Sequence, residues 1–377
     1  MNDSLQFWMA LTRIEGLGVR GCHKLIEHFG SPQAAYMASL TELESCGVPA
    51  RVAQAIFAQE ALKDAEKEVA KASKADCELL PFDSEDYPPL LKQIPDSPLL
   101  LYVRGDKKAL SRHGVAVVGS RRPSAYGSSV AHRLAHDLAQ RQLVVTSGLA
   151  RGVDSAAHRG ALEALGKTVA VLGSGIDVIY PRENKRLAED VAKSGAIVTE
   201  FPLGTGPTPE NFPIRNRIIS GLSLGVVVVE AAEYSGSLIT ARLALEQNRE
   251  VYAVPGNITS AQSFGPNHLI KQGAKLVDQW VDVIEEFPAE VRLELLSPGE
   301  ATGGEPIAPQ TASLFAALLT PEQKTVLEVL RADQALFVDD IVSQSSISHP
   351  RVLTALLELE MNGLIRQLPG KNFIRKL

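Results

Sequence analysis

The sequence predicts an α/β protein whose core is a parallel β-sheet covered by helices on both faces. Two observations predict this fold class. First, four runs of β-branched and aliphatic residues are apolar without interruption, which is typical of strands buried on both faces of a parallel sheet. Second, each run ends in a short turn that carries Gly with Ser or Arg. The four runs are residues 115–118, 143–145, 168–172 and 226–229.

Residues 76–296 are expected to form this α/β domain. Apolar spacing between and after the strands predicts helices, and two more apolar runs predict further strands. The helices are residues 126–141, 152–165, 184–194, 237–247 and 279–287, and the further strands are residues 196–200 and 251–254. Within the entry to the domain, residues 81–98 are rich in proline and are predicted to be extended without regular structure.

Two smaller domains are predicted at the ends of the chain. Residues 1–75 are predicted to be helical, and their Gly16-Leu17-Gly18 turn is typical of a helix-hairpin-helix or SAM-like domain, although a plain αα-hairpin fits as well. Residues 297–318 lack apolar periodicity and predict a flexible linker. Residues 319–377 show three helices and a hairpin, the pattern of a winged helix. In it Arg351 and Lys371 would face DNA, but many winged helices bind only protein.

Length and charge limit the classes of function. A chain of 377 residues exceeds what one core usually organises, so two or three domains are expected. The net charge is −6, and residues 76–296 hold 23 basic against 26 acidic residues, so any anion site must be local. Three cysteines without metal-ligand spacing are expected to be reduced. Neither a signal peptide nor an apolar stretch of ~20 residues is found, which predicts a cytoplasmic protein without membrane contact.

No motif for a small cofactor or for catalysis is found. The first turn lacks the glycine triplet of G-x-G-x-x-G, residues 173–175 supply only G-x-G, and no P-loop is present. His132 and His136 have a zinc-compatible spacing but no third ligand, so a solvated helix face is preferred. Glu230 and Glu233 follow a strand and are assigned to capping and turn roles. We therefore predict no cofactor, no metal and no catalytic residue.

The turns after the strands carry residues suited to anion binding. Backbone N–H groups lie there at helix N-termini, and arginine offers a planar fork to phosphate oxygens. One of the first two arginines is expected to form a structural ion pair, and Asp154 and His158 are expected to pair locally. The candidate contacts are Gly119, Ser120, Arg121 and Arg122 after the first run, Ser147, Gly148, Arg151 and Gly152 after the second, and Gly173 and Gly175 after the third.

Two more segments add cations and an aromatic ring near the same edge. Residues 211–223 form a turn leading into a helix, and residues 180–185 end in a lysine within the first turn of a helix. Arginines beside an aromatic ring suit stacked bases and a phosphate backbone. Because these cations stand on separate turns, they suit a chain of phosphates better than one nucleotide. The candidate contacts here are Phe212, Arg215, Asn216, Arg217 and Lys185.

Six segments together resemble the DprA/Smf family. They are GSRRPSAYG, SGLARGVDSAAHRGAL, VLGSGIDVIYPRENKRL, FPIRNRIISGLS, SGSLITARLALEQNREVYAVPG and GPNHLIKQGA, in order over roughly residues 80–290. The resemblance implies an extended Rossmann domain that binds single-stranded DNA, forms a homodimer and helps to load the RecA recombinase during natural transformation. It also implies anchoring of the strand by Arg121 and Lys185, with residues 148–152 lining the same pocket.

Two other classes of function stay open. A nucleotide-processing enzyme related to phosphoribohydrolases would carry a PGGxGTxxE motif, whereas residues 235–241 read SGSLITA and lack its glutamate. A transcription regulator would use the winged helix on a specific duplex and the α/β domain as a nucleotide sensor. The preferred hypothesis is a non-enzymatic single-stranded DNA binder with steep salt dependence and little sequence preference.

Overall fold

The structure of the protein is a computed structural model that describes residues 4–296, 320–330, 336–361, 364–368 and 370–375. The chain divides into two compact units, Met1–Pro298 and Gly299–Leu377. Within the described residues, no helix is both long enough and apolar enough to cross a membrane. The predicted linker, residues 297–318, lies outside the described residues.

The larger unit is built on a mixed sheet of nine described strands. They are β1 Glu78–Pro81, β2 Leu100–Gly105, β3 Gly114–Val118, β4 Val144–Ser147, β5 Thr168–Val171, β6 Ala196–Thr199, β7 Gly225–Val228, β8 Glu250–Ala253 and β9 Lys275–Leu276. Their order is β1-β2-β6-β5-β4-β3-β7-β8-β9. Strand β2 pairs antiparallel with β1 and β6, and the other pairs are parallel. The strand order reverses between β3 and β7, so a topological switch point lies at their carboxyl ends.

Helices cover both faces of this sheet, which explains the unbroken apolar runs. In β3, Val115 and Val117 pack into one core with Leu134, whereas Ala116 and Val118 pack into a second core on the opposite face. Such a strand needs apolar side chains at every position. The predicted α/β, Rossmann-like fold class is therefore confirmed. The helices of this region are α7 Pro89–Lys92, α8 Ala125–Gln140, α9 Val153–Glu163, α10 Lys185–Ser194, α11 Asn211–Gly221, α12 Gly236–Glu246, α13 Phe264–Lys271, α14 Trp280–Ile284 and α15 Ala289–Leu296, with 3-10 turns at Lys107–Ser111, Arg182–Asn184 and Ala261–Ser263.

The proline-rich entry segment contains more regular structure than predicted. Pro81 ends β1, at the edge of the sheet, where a missing N–H costs no ladder hydrogen bond. Pro89 is the first residue of α7, a position whose N–H group would have no hydrogen-bond partner within the helix, so the missing N–H of proline is tolerated there. Strand β2 begins two residues after Pro98 and was not predicted either. Proline in this segment therefore marks the ends of elements rather than their absence.

The N-terminal segment is helical, as predicted, and joins the sheet. Its helices are α1 Leu5–Thr12, α2 Gly18–Phe29, α3 Pro32–Met37, α4 Leu40–Ser45, α5 Ala50–Phe57 and α6 Leu62–Ala72. Glu68 of α6 is buried and accepts hydrogen bonds from the Tyr102 hydroxyl at 3.0 Å and from Leu203 N at 2.8 Å. It also pairs with Arg13 at 3.2 Å. One hydrophobic core runs from these helices to β2, so the predicted boundary at residue 75 falls between segments that pack together.

The smaller unit has the winged-helix arrangement that was predicted. Three helices, Pro321–Val329, Val338–Ser345 and His349–Met361, precede a hairpin of Ile365–Leu368 and Asn372–Arg375. A short strand that was not predicted, Leu336–Phe337, pairs with the second hairpin strand. Arg351 pairs with Glu322 at 2.8 Å, and Lys371 is exposed in the hairpin turn.

Candidate nucleic-acid interface

A cavity of about 960 Å³ opens at the switch point between β3 and β7. Its walls are the turns that follow these two strands, the starts of α11 and α12, and residues 261–264. In doubly wound sheets this crevice is where ligands bind. The predicted contacts are therefore expected to lie around this cavity.

The turn after β3 is held tightly while its two arginines stay exposed. Ser120 N donates to the Glu230 carbonyl at 2.6 Å, and Arg122 N donates to Ser120 Oγ at 3.0 Å. Gly152 comes so close that a Cβ on it would lie 2.4 Å from the Ser120 carbonyl oxygen, and its φ of 75° also favours glycine. Neither Arg121 nor Arg122 has an ion pair among the described residues, so the expected structural ion pair does not form.

Arg121 lies over an aromatic ring inside this cavity. Its Cζ atom is 5.1 Å from the centroid of Phe212, a residue in the first turn of α11. The Tyr180 ring, which was not among the predicted contacts, is 5.9 Å from the Phe212 ring and also lines the cavity. A guanidinium over an aromatic face is attracted by the ring quadrupole. One wall of the cavity thus combines an unpaired cation with two aromatic rings.

Lys185 stands on the neighbouring part of the same edge. It is exposed and is the first residue of α10, just outside the cavity lining. The preceding Asn184 is buried and donates from Nδ2 to the Leu149 carbonyl at 2.8 Å. Arg151, in the turn after β4, is exposed and pairs with Glu183. These contacts fix the start of α10 against the turn after β4, so Lys185 and Arg151 share the carboxyl edge of the sheet.

Two further cations on this edge were missing from the predicted contacts. Arg182 and Arg186 flank Lys185, are exposed, and have no ion pair among the residues that the structure describes. The sequence feature that could have predicted them is the density of basic residues in PRENKR, residues 181–186. Together with Arg121 and Arg122, they make this edge locally basic in a protein that is acidic overall.

Arg215 lies beneath this surface. It is 4% exposed, and its Nη1 donates to the Gly148 carbonyl at 2.6 Å and to the Val171 carbonyl. Burial lowers the pKa of Arg215 to about 10, while the neighbouring carboxylate of Asp154 acts in the opposite direction. Asn216 is buried beside it and donates to the Gly236 carbonyl at 3.4 Å. Arg215 thus joins the turn after β4 to the end of β5 from below, and its side chain also reaches the cavity wall.

Arg217 is separated from the cavity. Its guanidinium is buried, forms two hydrogen bonds of 2.7 Å with the Glu200 carboxylate and lies 3.3 Å from Asp96. With its fork occupied by carboxylates, this side chain has no donor pair free for a phosphate. Of the four cations predicted to form one track, Arg121 and Lys185 are exposed, whereas Arg215 and Arg217 are internal.

The remaining predicted contacts serve the geometry of the turns. Ser147 is buried and donates to the Val117 carbonyl at 2.7 Å. A Cβ on Gly148 would lie 2.4 Å from the Arg215 guanidinium, and one on Gly173 would lie 3.0 Å from the Phe212 ring. Gly175 N donates to the Thr205 carbonyl at 2.9 Å. Each of these positions brings two chain segments together; Gly119 alone among the predicted glycines lines the cavity.

Two buried carboxylates accept hydrogen bonds from backbone N–H groups near the cavity. Glu230 accepts from Ser124 N at 2.8 Å and from Ser124 Oγ at 2.6 Å, which confirms its predicted capping role at the start of α8. Asp154 accepts from Gly148 N at 3.1 Å and Ala150 N at 3.3 Å, and burial raises its pKa. The expected pair of Asp154 with His158 does not form, because His158 bonds Thr168 instead.

The two histidines with zinc-compatible spacing each lie beside a carboxylate. His132 lies 2.9 Å from Glu163, and His136 lies 3.3 Å from Asp137. Among the described residues, no group of three or more His, Cys, Asp or Glu side chains is placed to hold a metal ion.

These features place the protein among Rossmann-like proteins with a basic, aromatic cleft at the switch point and a separate winged helix. The chain belongs to the DprA/Smf family. Residues 78–288 match the family model described as DNA recombination-mediator protein A, and residues 308–371 match the one described as the DprA winged helix domain.

Similar proteins agree with this assignment. The chain is 42% identical over 335 residues to Protein Smf of Escherichia coli, covering 87% of this chain and 85% of that protein. It is similar in structure to DNA processing protein A of Streptococcus pneumoniae, with a TM-score of 0.67 and 36% identity over 75% of this chain and 98% of that one. The protein of Helicobacter pylori, described by its single-stranded DNA binding mode, gives a TM-score of 0.51 and 31% identity over 55% and 94%.

Proposed function

We propose that the protein binds single-stranded DNA without strong sequence preference, protects it, and helps to load the RecA recombinase during natural transformation. The observation that carries the proposal is Arg121, an exposed arginine that lies over Phe212 and has no ion pair among the described residues. Family membership supports a role in DNA processing and recombination. The Helicobacter pylori relative, which is described as binding single-stranded DNA, supports this choice of ligand.

The proposed contacts divide by chemistry. Arg121, Arg122 and Lys185 meet phosphates, because they are exposed cations on one edge of the sheet. Phe212 and Tyr180 meet bases, because aromatic rings accept any base by stacking and so require no particular sequence. The buried Arg217 is left out of the contact surface, and Arg215 supports the turns from below.

The wider biological role is also a proposal. We propose a cytoplasmic, non-catalytic mediator that forms a homodimer through its Rossmann domain and contacts RecA. Its proposed domains are residues 1–75, 76–296 and 319–377, with residues 297–318 as linker. Incubation of the protein with AMP is expected to release no adenine, and release of adenine would favour the phosphoribohydrolase alternative instead.

The test is a binding titration of the full chain with single- and double-stranded oligonucleotides over a range of salt concentrations. Single-stranded DNA is expected to bind more tightly, with log K falling steeply as log salt rises. Arg121→Ala and Lys185→Glu are each expected to weaken binding about tenfold or more and to reduce the salt slope by about 0.7 for each lost phosphate contact. Arg133→Ala, an exposed arginine on α8, is the matched control and should bind as the wild type does. Wild-type binding by both site variants would reject the site.

A further inference from the structure

The cavity at the switch point has two walls of different chemistry. The wall after β3 carries Arg121 and Phe212, as described above. The wall formed by the turn after β7 and by the start of α13 carries Tyr234 and Phe264. The charged side chain that this second wall contributes is Glu233, and no lysine or arginine from these segments lines it. Aromatic rings stack on bases, whereas the Glu233 carboxylate repels phosphates.

Tyr234 is unusual for a large aromatic residue in a folded domain. Its side chain is 93% exposed in the turn between β7 and α12, and it makes no hydrogen bond or ring contact with the described residues. Aromatic side chains dominate cores and interfaces because they remove a large apolar area from water. Here that area stays in water at the mouth of a cavity, so packing within the chain does not account for it.

Phe264 lies on the same wall and is held in a fixed place. Its ring is 45% exposed and stacks on the His268 ring, with centroids 5.8 Å apart and planes 9° apart. The backbone beside it is bonded to the turn after β7, since Gly265 N donates to the Ala231 carbonyl at 2.8 Å and Ala231 N donates to the Gln262 carbonyl at 2.7 Å. The offset stacking on His268 and these two backbone hydrogen bonds hold the Phe264 ring at the cavity.

We propose that Tyr234 and Phe264 form a second base-stacking wall, which receives bases of a single strand whose phosphates are held by Arg121 on the wall after β3. The inference rests on the proposed function, because it takes single-stranded DNA as the occupant. It is favoured by the continuity of both walls in one cavity of about 960 Å³, near the upper end of small-ligand pockets. The strand would then cross the switch point instead of ending at the Arg121 turn.

The test compares two ligands of equal length, oligothymidylate and an abasic strand that keeps the phosphates but lacks the bases. Fluorescence anisotropy with the full chain gives the affinity for each. Tyr234→Ala and Phe264→Ala are each expected to bind oligothymidylate about tenfold more weakly, or ~1.4 kcal/mol, and the abasic strand as tightly as the wild type does. Tyr234→Phe should keep wild-type affinity. Leu165→Ala removes a side chain that is 94% exposed before β5, at the opposite edge of the sheet, and should change neither affinity.

Two outcomes overturn the stacking wall: unchanged affinity of both alanine variants for oligothymidylate, or an equal loss on both ligands. Arg121→Ala separates this inference from the proposed function, since it should weaken binding of both ligands. If Arg121→Ala loses affinity while the Tyr234 and Phe264 variants do not, the stacking wall is rejected and the proposed function stands. If Arg121→Ala and Lys185→Glu also bind both ligands normally, the proposed site and the stacking wall are both rejected.

Discussion

His158 should make the larger unit sensitive to acid, and its replacement should remove that sensitivity. The residue is fully buried on α9, with Nδ1 2.7 Å from the Thr168 hydroxyl. Because that hydroxyl donates to the Val145 carbonyl at 2.6 Å, it must accept from His158 Nδ1–H. The other ring nitrogen, Nε2, is buried and has no hydrogen-bond partner among the described residues. Burial, and then the nearby Arg215 guanidinium, lower the pKa of His158 to about 3.

The size of the effect follows from proton linkage. The pKa of this imidazole in the unfolded chain is the ordinary 6.5, so between pH 6.5 and about pH 3 the unfolded state binds a proton that the folded state does not. The free energy of unfolding therefore falls as the pH is lowered through this window. From about pH 7.5 to about pH 5 the loss is about 2 kcal/mol, a large part of the roughly 5–15 kcal/mol that stabilises a typical domain.

The assay is urea denaturation of the full chain at both pH values, followed by tryptophan fluorescence. Both tryptophans, Trp8 and Trp280, lie in the Met1–Pro298 unit, so the signal reports that unit. His158→Asn keeps a side-chain N–H but does not titrate, and it is expected to lose about 2 kcal/mol less than the wild type on acidification. His28→Asn, at an exposed histidine on α2 that has no ion pair among the described residues, is the control and should keep the wild-type pH dependence.

The buried carboxyl groups act in the opposite direction. Burial raises the pKa of Asp154 and of Glu200, so these groups add stability as the pH falls. They are present in the wild type and in both variants, and their contribution cancels in the comparison. An unchanged pH dependence in His158→Asn would therefore refute the assignment of the effect to His158.

Two substitutions at buried charges should separate stability from binding. Arg217→Met leaves the Glu200 carboxylate without its cation, so the free energy of unfolding should fall by about 3–5 kcal/mol in urea denaturation, and a change below ~1 kcal/mol would contradict the buried pair. The folded fraction of this variant should bind single-stranded DNA normally. Glu230→Gln removes the negative charge at the start of α8 and should cost about 1 kcal/mol in thermal denaturation, whereas an unchanged melting temperature would show that the Ser124 hydrogen bonds alone suffice.

The fold was predictable from local patterns because the parallel sheet imposes them on every strand. A strand such as β3 must be apolar on both faces, and each must end in a turn at the carboxyl edge. Strands β1 and β2 were not predicted because they lie next to a proline-rich segment. Each proline nevertheless occupies a position where the sheet tolerates it. Whether a strand position tolerates proline depends on its place in the sheet. That place cannot be read from the local sequence of one strand.

The division between exposed and buried arginines was not predictable. In α11 the burial is the reverse of what hydropathy predicts, since the apolar Ile214 is 45% exposed and the charged Arg215 is buried. The partners of the buried arginines are distant in sequence: Arg215 bonds the carbonyl of Gly148, and Arg217 bonds Glu200. An arginine stem can pack in a core once such partners satisfy the guanidinium. The residue type therefore predicted phosphate contacts, and only the tertiary contacts distinguish Arg121 from its buried neighbours.

The internal carboxylates near the cleft support the proposal that it binds an extended strand rather than a single nucleotide. In dinucleotide-binding folds, phosphate sits on the N–H groups at the helix that follows the first strand. Here Glu230 accepts a hydrogen bond from the N–H group of Ser124, the residue before α8, and Asp154 accepts from Gly148 N and Ala150 N in the turn after β4. A phosphate bound at any of these three N–H groups would have to displace a buried carboxylate. We therefore propose that phosphates are bound by two exposed side chains, Arg121 and Lys185, which stand on separate turns and so suit successive phosphates of one chain.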